Sequence, residues 1–147
     1  MRTQYTLISA IRDKNNHTYT VTIGTDIGQF TGEVFCRPED WERESRYFGL
    51  ELAELKANIL YARAKKNHYA AQIKALNEFY NNMRTTRTYN ANAFWVKKLQ
   101  EQIDDLVLTL KWWKNRIQYL KEAYHIKITT FDSLRNIRKR CEEYNND

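Results

Sequence analysis

From residue 41 to residue 124 the chain places apolar side chains at steps of three and four. Trp41, Ser45, Phe48, Leu52, Leu55, Ile59, Ala62, Lys66, Tyr69, Ile73, Leu76, Tyr80 and Met83 form one stripe, interrupted only by Ser45 and Lys66. Val96, Leu99, Ile103, Leu106, Leu110, Trp113, Ile117, Leu120 and Tyr124 form a second, with no interruption. This spacing keeps one face of an α-helix apolar, and alternation of three and four is the geometry of coiled-coil packing. The polar segment between the stripes, "RTTRTYNAN", is short, which predicts antiparallel neighbours in a helical hairpin. The first 37 residues follow a different period. In "TYTVTIGT", Tyr19, Val21 and Ile23 share one face while Thr18, Thr20 and Thr22 share the other, as in a half-buried strand. "QYTLISAIR" and "FTGEVFCR" have the same β-branched and aromatic character, and "DKNNH" and "DIGQ" supply turns between them.

The breakers agree with this division. Gly24, Gly28, Gly32, Gly49 and Pro38 all lie in the first third, and neither residue type follows Gly49. Pro38, with Glu39 and Asp40 beside it, suits the first turn of a helix, where a missing N–H costs nothing and acids meet the positive end. After Tyr124 the chain "HIKITTFDSLRNIRKRCEEYNND" opens on a short alternating piece. Thr129 or Thr130 is then expected to cap a third, short helix with Phe131, Leu134, Ile137 or Arg138, and Cys141 on one side. The predicted fold is α+β: a three-stranded antiparallel β-meander (1–37), a long antiparallel helical hairpin with coiled-coil packing (38–125), and a short C-terminal helix or tail (126–147).

Two adjacent tryptophans, Trp112 and Trp113, pose a question about what they face. In an antiparallel hairpin Trp113 lies opposite Ile59, Ala62 and Lys66, where a large ring against a small Ala is ordinary core packing. The stem of Lys66 is expected along the indole. Trp112 falls on a flanking stripe with Leu108, Tyr119 and Ala123, and helix one has its own flank in Ala53, Ala57, Leu60, Ala64, Ala71 and Ala75. These flanks call for cover by the meander, by the C-terminal helix or by a second copy of the chain. Trp112 is therefore buried, partner-facing or stacked on a nucleic-acid base.

Charge narrows the functional classes. The 147 residues carry 24 Lys and Arg against 18 Asp and Glu, a net +6, and the excess base lies wholly after residue 44. It clusters at Arg84, Arg87, Lys97 and Lys98 around the connection, with Tyr89 among them, and at Arg135, Arg138, Lys139 and Arg140 in the tail. Such clusters fit nucleic acid or an acidic protein surface. Glu101, Asp104 and Asp105 interrupt the basic face of the second helix, which weakens the nucleic-acid reading. No catalytic motif, phosphate loop or metal-ligand spacing is present, and His17, His68 and His125 stand apart. Cys36, before Pro38, is the single candidate nucleophile, set against the ordinary role of a buried strand cysteine. Cys36 and Cys141 are expected as reduced thiols. Neither an enzyme nor a cofactor is expected. There is no apolar run long enough for a membrane span and no export signal, so the expected compartment is the cytoplasm of a host cell.

The run "FTGEVFCRPEDWERESRYFGLELAELKA" together with "ITTFDSLRNIRKR" resembles small uncharacterised accessory proteins carried by phages and prophages of Gram-positive bacteria. The resemblance implies an inhibitor of a host defence nuclease, in the style of an anti-CRISPR protein, or a small structural accessory. It carries over no site. Three readings follow. The first is a non-enzymatic protein-binding inhibitor of a nucleic-acid-processing host enzyme, acting through Arg84, Arg87, Tyr89, Lys97, Lys98, Arg135, Arg138, Lys139, Arg140 and Trp112. The others are a direct nucleic-acid-binding accessory, and a phage structural or assembly component that forms homodimers or larger species through its helices. The expected partner is thus a host or phage protein, a nuclease foremost.

Overall fold

The computed structural model describes residues 4–84 and 93–146, with side chains described for 4–42, 44–82 and 96–134. Three strands, β1 (Thr6–Asp13), β2 (Thr18–Thr25) and β3 (Gly28–Phe35), form an antiparallel sheet in the order β1-β2-β3. A 3₁₀ turn (Pro38–Arg43) leads into α1 (Arg46–Arg84), and α2 (Ala93–Asn146) follows. The protein is α+β, with one meander and two long helices.

The alternation read in β2 is the alternation found. Tyr19, Val21 and Ile23 are all within 1% of complete burial. Opposite them on the same face are Val34 and Gly32, paired with Tyr19 and Val21 respectively. This face rests on α1 at very close range. A Cβ on Gly32 would fall on the carbonyl oxygen of Ala53, 2.6 Å from the Ala57 nitrogen and 2.9 Å from Lys56 Cβ. Ala53 and Ala57 are completely buried. The small residues of the α1 flank are therefore covered here by β3, because nothing bulkier on either side would let backbone approach backbone.

The helix starts later than the Pro38 signal predicts. Pro38 opens a single 3₁₀ turn, Glu44 is extended (φ −57°, ψ 126°), and α1 begins after Ser45. Ser45 acts as its cap: its Oγ accepts a hydrogen bond from the Phe48 N–H at 3.3 Å, and its carbonyl takes the first helical bond from Gly49. Trp41, expected at the head of the α1 stripe, consequently lies outside the helix and donates its indole N–H to the Cys36 carbonyl.

The expected separate C-terminal helix is also corrected. No break occurs at Thr129 or Thr130; α2 runs unbroken through 126–134 to Asn146. The second stripe in fact continues at the same spacing from Tyr124 through Ile128 to Phe131, each half-buried. Phe131 stacks on Phe48 with centroids 4.7 Å apart, Lys127 pairs with Glu51 at 2.7 Å, and Lys56 lies 5.8 Å over the Tyr124 ring. Packing along one face outweighs the strand preference of the β-branched "IKITT" segment.

By contact density the chain forms two compact units, residues 1–60 with 118–147, and residues 61–117. They cut both helices, unlike the boundaries at 37/38 and 125/126 read from the sequence. In the first unit the sheet, the start of α1 and the end of α2 share the core just described. In the second, Tyr61, Ala62, Lys65, Ile103, Trp113 and Ile117 are buried. There Tyr69, Ile73, Leu76 and Tyr80 are half-covered while the positions between them are mostly exposed, which preserves the predicted stripe.

Candidate functional site

Lys97 and Lys98 stand exposed on α2. Arg84 lies on α1, and Arg135, Arg138, Lys139 and Arg140 on α2, with side chains outside those described. Arg87 and Tyr89 lie outside the described residues altogether. What the backbone does give is a partition of charge. The unit of residues 61–117 holds eleven Lys and Arg against four Asp and Glu, a net +7. The other unit holds thirteen against fourteen, a net −1. Arg63, Lys74, Lys97, Lys98, Lys111 and Lys114 present the excess on exposed helix positions.

The tryptophan pair sits within this basic unit. Trp113 is 3% exposed; Tyr61 meets it edge-on at 5.4 Å and Trp112 at 4.8 Å. It is a core residue. The cation beside it is Lys65, 5.9 Å from the Trp113 ring and 5.7 Å from Tyr69, rather than Lys66. Two aromatic faces soften the cost of burying an ammonium. Trp112 is half-buried against Trp113, so only part of its ring is open to a partner.

A second constellation, which the isolated spacing of the histidines conceals, lies where the β1–β2 turn meets the 3₁₀ turn. His17 takes a left-handed backbone (φ 53°), a conformation unfavourable for a side chain with a Cβ. Its ring stacks on Trp41 at 3.9 Å, and Nδ1 lies 2.9 Å from one Glu44 oxygen. Arg12 donates to the other Glu44 oxygen at 2.6 Å. Burial opposes the Glu44 charge, but the hydrogen bonds from Arg12 and His17 outweigh it and hold the carboxyl below its ordinary range. Asp13 prepares the turn by accepting the backbone N–H groups of Asn15 and Asn16. The only advance signal was that Asn-rich turn ending at His17, which does not name Glu44 as the partner.

Because the native pKa of Glu44 is depressed, its contribution to stability is complete above the unfolded value of about 4.3. It is lost as pH falls through the native value. Glu44→Gln is expected to cost about 1–2 kcal/mol at neutral pH, from weakened charge-assisted hydrogen bonds. In urea titrations at successive pH values, the gap between parent and variant should narrow from pH 5 downwards. A gap constant to pH 3 would remove the ion-pair cluster as its origin.

Cys36 borders the same region. Burial first, then the carboxylates of Glu44 and Asp40, push its thiol up, which is the opposite of activation at a helix end. Arg37 next to it ties the 3₁₀ turn to α2 through Asp40 at 3.1 Å and Asp132 at 3.0 Å. These side chains edge a cavity of about 450 Å³, whose walls include Tyr19, Leu52, Phe48, Tyr124, Ile128 and Phe131. Among the described residues no group of three or more His, Cys, Asp and Glu could hold a metal ion, and no helix is long and apolar enough to cross a membrane. No family model, curated protein or solved structure matches the chain.

Proposed function

We propose that the protein is a non-enzymatic binding module that obstructs a nucleic-acid-processing enzyme, as a phage-borne inhibitor of a host defence nuclease would. The observation that supports this reading is the segregation of charge: the helical unit has net +7, whereas the unit built around the sheet is near-neutral. In this reading residues 61–117 form an antiparallel hairpin, and its basic surface docks on the carboxylates that line a nuclease's metal-dependent centre. Arg84, Arg87, Lys97 and Lys98 lead the contact, with Tyr89 and the open part of Trp112 supplying apolar area. Obstruction needs only a stable shape of complementary charge, so catalytic groups are not required.

The test is affinity capture of the tagged full chain from host lysate, with and without nuclease digestion, read by mass spectrometry. A stoichiometric protein that survives digestion is the expected result. Replacing Arg84 and Arg87 with Glu should reduce its recovery at least tenfold while the circular dichroism spectrum is unchanged. Undiminished recovery would remove these residues from the interface.

The same charge supports a second reading, direct binding to nucleic acid. It requires an affinity that falls steeply with salt, and a slope that becomes shallower when the same two arginines are removed. The assembly reading keeps one foothold, the exposed Ala71 and Ala75 on α1. If these form a contact between copies, Ala71→Leu should lower the mass seen in light scattering; an unchanged mass argues against it.

A further inference from the structure

The cavity of about 450 Å³ follows one side of α1. Its wall takes Ser45, Phe48, Leu52 and Lys56 from that helix, spaced three or four residues apart, so it extends about 16 Å along the axis. Val34 of β3, and Tyr124, Ile128 and Phe131 of α2, form its sides. The space is therefore an elongated, mostly apolar channel, with a volume in the range of small-molecule sites, about 300–1,000 Å³.

Its two ends differ in charge. At the Ser45 end Arg37 bridges Asp40 at 3.1 Å and Asp132 at 3.0 Å, and Glu44 is held by Arg12 and His17. The acids there are already compensated. At the other end stands Lys56. Its ammonium donates to the Glu33 carbonyl at 3.2 Å and lies 5.8 Å over the Tyr124 ring, and among the described residues it has no carboxylate partner. An ammonium has three N–H donors, so the bond to Glu33 leaves two for an incoming acceptor. A carboxylate at this end gains charge-assisted hydrogen bonds beside an apolar channel, whereas a cation meets repulsion. We propose that the channel binds an elongated apolar monocarboxylate, a fatty acid in chemical class, with its carboxylate on Lys56 and its chain over Leu52, Phe48 and Ile128. None of these residues lies in the basic unit of residues 61–117, so the site is independent of the interface proposed above.

The probe is octanoate, titrated into the full chain by isothermal titration calorimetry, with acetate, hexanoate, 1-octanol and octylammonium as comparisons. Saturation at about one octanoate per chain is expected. Hexanoate should bind at least tenfold more weakly, since each buried methylene is worth roughly fourfold, and acetate should give no saturable heat. Octanol and octylammonium should each bind more weakly than octanoate. Lys56→Met keeps an apolar stem without the charge; it should weaken octanoate about fivefold and leave octanol unchanged. Ile128→Trp narrows the channel and should abolish binding of both, with the circular dichroism spectrum unchanged. Absence of saturation by octanoate overturns the proposal. Several octanoates bound per chain with no dependence on Lys56, as for adsorption to the basic helices, overturn it too. So does an affinity indifferent to chain length, or equal affinity for octanoate and octylammonium.

Discussion

Trp113→Ala is expected to destabilise the protein by about 3–5 kcal/mol, a large part of the margin of a chain this size. The indole is 3% exposed, wedged between Tyr61 and Trp112, with Lys65 over its face. Its removal leaves a cavity and strips a buried ammonium of one of its two aromatic neighbours. Amide exchange should report the loss first in residues 61–82 and 96–117, with later effects in β2. Trp113→Phe should cost much less. The indole Nε1 has no hydrogen-bond partner, so the phenyl ring removes an unsatisfied donor along with some volume. If Ala and Phe variants unfold at the same denaturant concentration, the indole is not the packing centre of that unit.

Gly32→Ala is expected to be nearly as damaging, at about 3 kcal/mol or more, although it adds one methyl group. The new carbon meets the Ala53 carbonyl oxygen and the Ala57 nitrogen, which are helix backbone and cannot rotate away. The sheet must lift from α1 and open the contacts of Val21, Ile23 and Val34. Gly24→Ala is the control: its Cβ would meet the flexible end of Ile8 at 2.9 Å, which can turn aside. A cost within about 1 kcal/mol is expected there. Parallel melting curves decide the matter. Equal effects at the two glycines would mean that strand conformation rather than the approach to α1 dominates.

Much of the architecture is legible because it repeats locally. A period of two in "TYTVTIGT" names the inward face of β2, and steps of three and four name the covered sides of both helices. That same regularity carries through Ile128 and Phe131, and it was masked by the β-branched residues around them. The helix start at Arg46 was less legible, since Pro38 and its acids fit a first turn equally well whether it is 3₁₀ or α. What decided it is the Glu44 side chain, held by Arg12 and His17 from 32 and 27 residues away. Among the site residues, the basic clusters are visible in composition alone. The cluster of Arg12, His17, Trp41 and Glu44 is not, because no spacing along the chain relates its members.

The sequence by itself determined the element types, the order of strands and helices, the strand face that is buried, and the excess base of the long helices. These follow from periodicity and composition, which act between neighbours a few residues apart. Only the tertiary structure decided that β3 lies on Ala53 and Ala57, that Lys65 rather than Lys66 meets Trp113, and that His17 closes on Trp41 and Glu44. Those contacts join residues with no sequence relation to each other. Their energies depend on shape and on paired charge at distances of a few ångströms, which no local pattern encodes.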